Sequence, residues 1–230
     1  MDYKESKEIL RKFYEQKGLT ANFEKDNEYL EKAFNKIIDI WLDNLAQIRE
    51  VKYLMIAEAP LWGCKESYIY NPDTPNTQFF HKCDLEIALN GITICNKRDF
   101  IDCCNKIGLL IIDISPFALN TEDTIVNYRP KSQSNPYGIT KIEYQRLIRD
   151  TLPMFFEEKI KAFAPRRSDD IKVFFRYARV KDTFCDIVAD CLIYYDVIKL
   201  SDEILEISQQ GGGIDRIKFK KIINLQNHPK

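Results

Sequence analysis

Three short apolar segments, each of strand length, constrain the fold of this 230-residue chain most strongly. They are Val51–Ala57, residues 109–114 and residues 171–177. Each segment is largely apolar instead of alternating, which is typical of strands in a parallel sheet that is buried on both faces. The sequence therefore predicts an α/β three-layer sandwich, in which a short, mostly parallel central sheet is covered by helices on both faces.

Apolar residues at helical spacing fill the intervals between these segments. Helices are expected at residues 4–17, about 26–49, 99–106, 140 to about 162 with a bend at Pro153, and one or two within 182–208. Thr140 and Glu143 form a capping box, and Gly108 ends the helix before the second strand. A last extended segment is expected at residues 217–225. With no repeat or linker, residues 1–230 are expected to form one domain on which the helices of residues 1–50 pack.

Composition limits the classes of function. The hydrophobic content of 45% indicates a globular chain. The 34 basic residues are balanced by 35 acidic ones, so any nucleic-acid surface requires local clustering of positive charge, for example at Arg176, Arg179 and Lys181. The apolar segments are too short to span a bilayer, and the charged N-terminus has no signal-peptide pattern. We expect a cytoplasmic protein without membrane association.

The seven cysteines are expected to be reduced thiols, because their number is odd and none forms a CxxC pair. We expect no metal and no cofactor. An alternative remains open, in which His81, Cys83 and Cys95 bind zinc or an iron–sulfur cluster together with Cys103 or Cys104, although these spacings match no established ligand pattern.

Polar or turn-forming residues follow each of the four expected strands. In parallel α/β folds, ligands bind outside the carboxyl ends of the strands. The segments that start there are Glu58-Ala59-Pro60, residues 113–116, residues 176–179 and residues 227–229. We expect these segments to converge on one site.

The same segments resemble the motifs of the uracil-DNA glycosylase superfamily. YLMIAEAPLWG (residues 53–63) resembles its first motif, GLLIIDISPF (108–117) resembles its second central strand, and Asn-His-Pro (227–229) resembles its His-Pro-Ser motif. The sequence departs from the family pattern at three positions: Ala57 stands where many members have glycine, Asp113 lies near a base-reading asparagine, and Lys230 replaces the motif serine.

The resemblance implies hydrolysis of the N-glycosidic bond of uracil or another modified base, in single- or double-stranded DNA. Glu58 would position water and stabilise the cationic sugar, and His228 would donate a hydrogen bond to the departing base. Asp113 would accept an N–H of the base. The other residues implied to contact the substrate are Ala59, Pro60, Tyr68, Tyr70, Phe79, Phe80 and Pro116.

Other readings of these residues remain open. Glu58 and Asp113 can bond to loop or backbone amides, and the loop aromatics can serve packing alone. The scaffold can then be a catalytically silent module that binds nucleic acid or a protein. A third hypothesis is a small-molecule hydrolase or transferase, with Cys64 as a candidate nucleophile, although the chain has no GxSxG, P-loop or GxGxxG motif.

Overall fold

The computed structural model describes residues 1–60, 70–73, 82–89, 92–118, 126, 139–208 and 214–224. Within these ranges the strands are β1 (Val51–Ala57), β2 (Leu109–Asp113), β3 (Arg167–Phe175) and β4 (Leu205–Glu206). The helices are α1 (Tyr3–Gln16), α2 (Thr20–Gln47), α3 (Lys82–Ala88), α4 (Lys97–Ile107), α5 (Lys141–Thr151), α6 (Phe156–Phe163), α7 (Ala178–Tyr194) and α8 (Arg216–Asn224), with 3₁₀ turns at Ala164–Arg166 and Ser201–Glu203.

The four strands form one sheet in the order β2-β1-β3-β4, and each described pairing is parallel. The register places Ala57 opposite Asp113 and Ile56 opposite both Ile112 and Phe175. All five residues of β2 are buried, as expected for a strand covered on both faces. The expected α/β three-layer sandwich is confirmed.

Helices pack against the sheet and against each other through long apolar side chains. Helices α4 and α6 contact β2, and α7 contacts β3. From α2, the indole Nε1 of Trp41 donates a hydrogen bond to the carbonyl oxygen of Ile111 in β2, at 2.9 Å. Trp41 is fully buried, so this bond satisfies an indole N–H that would otherwise be buried without a partner.

The N-terminal helices form a packed pair. The Tyr14 hydroxyl of α1 donates a 2.5 Å hydrogen bond to the buried Asp26 carboxylate of α2. Beyond the end of α1, Lys17 forms a 2.8 Å ion pair with Glu143 in α5. This links the N-terminal helices to the capping box of α5, where the expected Thr140–Glu143 bonds are present.

Gly108 determines how α4 passes into β2. Its backbone is left-handed, with φ of 78°, and a Cβ at this position would lie 2.3 Å from the carbonyl oxygen of Glu50. The Gly108 carbonyl accepts hydrogen bonds from the amides of Lys52 and Tyr53 at 2.9 and 3.0 Å. Only glycine combines this φ with such a close approach of two backbones.

The expected extended segment at residues 217–225 is wrong, because helix α8 covers Arg216–Asn224. Phe219, Ile222 and Ile223 are buried, and their spacing of three and four residues places them on one helical face. The Asp215 carboxylate accepts hydrogen bonds at 3.0 Å from the amides of residues 217 and 218, at the start of α8.

Smaller differences concern the ends of elements. The single helix expected from residue 140 to about 162 is two helices, because α5 ends at Thr151 and α6 begins at Phe156. Strand β3 covers Arg167–Phe175 and not residues 171–177. The interval 182–208 contains the end of α7, a 3₁₀ turn and the short strand β4.

Candidate functional site

The carboxyl ends of β1, β2 and β3 lie side by side and bring polar residues together. Glu58 follows β1, Asp113 ends β2, and Arg176 follows β3. The Ser115 amide donates to the Glu58 carbonyl at 2.9 Å, and the Arg176 amide donates to the Ile56 carbonyl at 3.0 Å. The expected convergence of these three loop starts is therefore observed, and we call this group of residues the carboxyl edge.

Glu58 is buried at this edge and paired with an arginine. Its side chain is 7% exposed, and Oε2 accepts a 2.7 Å hydrogen bond from Nη2 of Arg179. Arg179 lies in the first turn of α7, and its side chain is 60% exposed. The guanidinium neutralises the charge of the carboxylate from the solvent side, so Glu58 is held in one orientation next to a cation.

Asp113 is buried more deeply, and its Oδ2 accepts a hydrogen bond from the hydroxyl of Tyr70. Burial raises the pKa of Asp113, and the nearby charge of Lys159 and the Tyr70 hydrogen bond act in the opposite direction. This carboxyl group therefore depends on two protein side chains for the stability of its charged form.

Tyr144 of α5 connects the two carboxylates electrostatically. Its side chain is fully buried. Burial raises the pKa of the Tyr144 hydroxyl well above its ordinary value, and the negative charges of Glu58 and, less strongly, Asp113 raise it further. The hydroxyl therefore favours its neutral form, and both carboxylates contribute to this preference.

Lys159 of α6 is fully buried, and its helix contacts β2, the strand that ends at Asp113. Its Nζ lies 4.1 Å from the ring centroid of Phe155 and 5.1 Å from that of Trp41. Burial lowers the pKa of Lys159 to about 8, and the charge of Asp113 partly opposes this effect. No local sequence pattern singles out this lysine, because it lies in an ordinary charged helical segment with no feature that indicates burial.

The remaining predicted site residues divide into two groups. Ala59 and Pro60 follow Glu58, and Pro116 is buried in the loop after β2, so all three lie at the carboxyl edge. Tyr70 is buried and bonded to Asp113. Tyr68, Phe79, Phe80 and His228 lie outside the described residues.

The expectation that His228 follows a last strand is wrong, because the described chain before it is helix α8. The last strand in the described part of the chain is β4, and Ser208 lies two residues beyond its end. The Ser208 hydroxyl accepts a 2.9 Å hydrogen bond from the amide of Ala178, at the start of α7. Among the described residues, the fourth strand end at this edge is therefore followed by residues 207–208, and residues 227–229 lie outside the described ranges.

In the described part of the chain, no cluster of three or more His, Cys, Asp or Glu side chains could hold a metal ion. Of the alternative ligand set, Cys95 is exposed, Cys103 and Cys104 are buried, and His81 and the Cys83 side chain lie outside the described residues. Burial raises the pKa of Cys104 well above its ordinary value, which favours the protonated thiol. Cys64 lies outside the described residues.

None of the described helices combines the length and apolar character that crossing a membrane requires.

A polar groove of about 580 Å³ lies at the amino-terminal end of the strands, near the start of β1 and the turn before β2. It is lined by Gln47, Arg49, Glu50, Lys52, Asn105, Lys106, Ile107 and Gly108. This groove contains none of the buried carboxylates. We therefore regard the carboxyl edge as the candidate functional site, because the perturbed titratable groups and the strand ends coincide there.

Comparison with known protein families, with curated proteins and with solved structures finds no match to this chain. What the protein does is therefore inferred from its own residues.

Proposed function

We propose that this protein is a DNA glycosylase that hydrolyses the N-glycosidic bond of uracil or another modified base. The observation that carries the proposal is the placement of two buried carboxylates, Glu58 and Asp113, at neighbouring strand ends with Arg179 beside the first. The motif resemblance around residues 53–63 and 108–117 supplies the reaction class and the proposed membership of the uracil-DNA glycosylase superfamily.

Breaking an N-glycosidic bond generates positive charge on the sugar and negative charge on the leaving base. Water adds to the sugar C1′ while the C1′–N bond breaks. The electron pair of the C1′–N bond leaves with the base. Glycosidases meet a similar demand with two carboxyl groups in different roles. In our proposal Glu58 takes the proton of the attacking water and stabilises the developing cation, while Asp113 accepts an N–H of the base.

Residues outside the described ranges complete the proposal. His228 would donate a hydrogen bond to an oxygen of the departing base, and one of Tyr68, Phe79 or Phe80 would stack on the extruded base. These roles come from the resemblance alone.

The positive charge needed for a DNA partner would come from the β3–α7 junction. Arg179 is largely exposed, and the buried Arg176 places its guanidinium 4.4 Å from the ring centroid of Tyr177. A phosphate that approaches Arg179 would bring the sugar towards Glu58. We also propose a cytoplasmic location, which is supported by the five free cysteines among the described residues.

The test is cleavage of labelled single- and double-stranded oligonucleotides that contain uracil, hypoxanthine, xanthine or alkylated bases. Glu58→Gln keeps the size of the side chain but removes its basicity. Glu50→Gln is the matched control, because this exposed residue precedes the amino end of the same strand. We expect abasic sites from the wild type and Glu50→Gln, and a rate lower by about 10²-fold or more with Glu58→Gln.

The glycosylase proposal fails if the wild type, shown to be folded by circular dichroism, forms no abasic site in any substrate. It also fails if Glu58→Gln and Glu50→Gln cleave equally fast.

A catalytically silent binding module is the second candidate. It is favoured by the engagement of both carboxylates by the protein's own side chains, Glu58 by Arg179 and Asp113 by Tyr70. The net charge of −1 also supplies little general attraction for DNA. Fluorescence polarisation with the same oligonucleotides separates the candidates, because the silent module predicts salt-sensitive binding without any abasic product.

A further inference from the structure

Lys159 is a charged group in a place where a hydrophobic residue would ordinarily be expected. Its side chain is fully buried in α6. Among the residues that the structure describes, none accepts a hydrogen bond from its Nζ. Its close neighbours are instead the faces of Phe155 and Trp41, at 4.1 and 5.1 Å from the ring centroids. We call Lys159 with these two rings the lysine cage.

The lysine cage is fixed to the strand that carries Asp113. The Trp41 indole is bonded to the carbonyl of Ile111, two residues before Asp113. Helix α6, which carries Lys159, contacts the same strand. The cage and Asp113 therefore belong to one packed unit, and the position of the ammonium relative to the carboxylate is set by the fold.

Burying an ammonium ion without a hydrogen-bond acceptor is costly. A methionine of similar volume would pack against the two rings without this cost. The aromatic faces recover part of the cost through cation–π attraction, which is stronger for desolvated pairs than for exposed ones. What remains uncompensated points to an anion nearby. Helix α6 and Trp41 both contact β2, and this strand ends in the buried Asp113, whose negative charge also acts on Lys159.

Three protein groups face Asp113 from three parts of the fold. Tyr70 donates a hydrogen bond to it, Lys159 of α6 acts through its positive charge, and Tyr144 of α5 lies within its electrostatic reach. A tyrosine side chain carries no positive charge in either of its protonation states. Lys159 is therefore the group among these three that supplies positive charge.

We propose that Lys159 is a positioning residue whose buried ammonium keeps Asp113 as a carboxylate. The carboxyl edge therefore binds ligands that present an N–H or O–H donor. The identity of the ligand as a base rests on the proposed function. Uracil, hypoxanthine and xanthine present a ring N–H beside a carbonyl, whereas cytosine and adenine present a bare ring nitrogen there. At this ring position a carboxylate accepts the N–H of the first group but meets the nitrogen lone pair of the second, to which a protonated Asp113 would instead donate a hydrogen bond.

The experiment is a titration by ¹³C NMR of protein labelled at the carboxyl carbons of aspartate, with the Asp113 resonance assigned by its loss in Asp113→Asn. The wild type is compared with Lys159→Met. Lys97→Met is the matched control, because Lys97 is also buried, lies 5.3 Å from the Phe100 ring centroid and has its pKa lowered to about 8 by burial. The titratable group that acts on the pKa of Lys97 is the Cys104 thiol and not Asp113.

We expect Lys159→Met to raise the proton affinity of Asp113 about tenfold, the smaller end of the effect that a nearby opposite charge has on a carboxyl group. Lys97→Met should leave the Asp113 titration unchanged. The wild type should show a second inflection of the Asp113 resonance near pH 8, where Lys159 loses its proton. This measurement on the wild type decides the matter if Lys159→Met does not fold.

An unchanged Asp113 titration in folded Lys159→Met overturns the inference, and so does a wild-type resonance without an inflection near pH 8. These readouts need no substrate, so they are independent of the glycosylase assay. If the wild type cleaves none of the oligonucleotides but its Asp113 titrates as expected, the proposed function is rejected and the role of Lys159 is retained. If cleavage is found, Lys159→Met should also lower the preference for uracil over cytosine about tenfold, whereas Lys97→Met should not.

Discussion

Replacement of Gly108 by alanine tests the close backbone contact between Gly108 and Glu50. This contact sets the register of β1 and β2, and therefore the placement of Glu58 beside Asp113. Two costs follow from the structure. An alanine with φ near 78° is in the left-handed region, which costs about 1–2 kcal/mol. The new Cβ would also lie 2.3 Å from the Glu50 carbonyl oxygen, so two backbone segments must separate by more than 1 Å.

This separation weakens the bonds from the amides of Lys52 and Tyr53 to the Gly108 carbonyl, and overpacking of this kind typically costs about 1–3 kcal/mol. The total expected loss in the free energy of unfolding is about 2–5 kcal/mol. Gly18→Ala is the matched control, because Gly18 has φ of 68° but no described atom lies within 4 Å of its potential Cβ. It should lose only the conformational part, about 1–2 kcal/mol.

The assay is urea unfolding at pH 7, followed by far-ultraviolet circular dichroism and tryptophan fluorescence, with the slopes compared between variants. The difference between the two alanine variants isolates the steric contribution at Gly108. Equal losses in both variants would refute the reasoning, because they would show that the close approach to Glu50 carries no energetic cost.

Two further predictions concern hydrogen-bonded carboxyl groups. The bonds of Glu143 to Lys17 and Thr140 lower its pKa to about 2, so they stabilise the fold above about pH 4.5 and this contribution is lost as the pH falls towards 2. Because the Glu143 side chain is 35% exposed, Glu143→Ala should lower the free energy of unfolding by only about 1 kcal/mol at pH 7 and by nothing near pH 2. Urea unfolding at both pH values measures this difference. A loss of stability that is independent of pH would contradict the prediction. Tyr70→Phe should cost about 1–3 kcal/mol at pH 7, because it leaves a buried Asp113 oxygen without its donor, and unchanged stability would show that this bond contributes nothing.

The fold followed from local patterns that the sequence displays directly. The apolar segment Val51–Ala57 and the segment at 109–114 are each long enough for one strand, and their continuous burial on both faces leaves a parallel sheet as the consistent arrangement. The Thr140 capping box and the Gly108 helix end were also predictable, because each depends on bonds between residues within one turn.

Where local patterns fit two structures, sequence reasoning failed. Residues 217–225 contain isoleucine and phenylalanine at spacings that suit a strand at their start and a helix over their full length. The segment forms α8 because Phe219, Ile222 and Ile223 together meet an apolar surface. That surface is made by elements distant in the sequence, so no local pattern could decide between the two structures.

For the candidate site, the sequence by itself determined which groups stand at the strand ends, and it did so for Glu58 and Asp113. Only the tertiary structure decided their partners. Arg179 is 121 residues from Glu58, and Tyr70 is 43 residues from Asp113. Lys159 is buried because Trp41 and Phe155 close over it. Strand ends follow from hydrogen bonding and burial within a few residues, whereas the pairing of charges depends on which distant elements the packed core brings together.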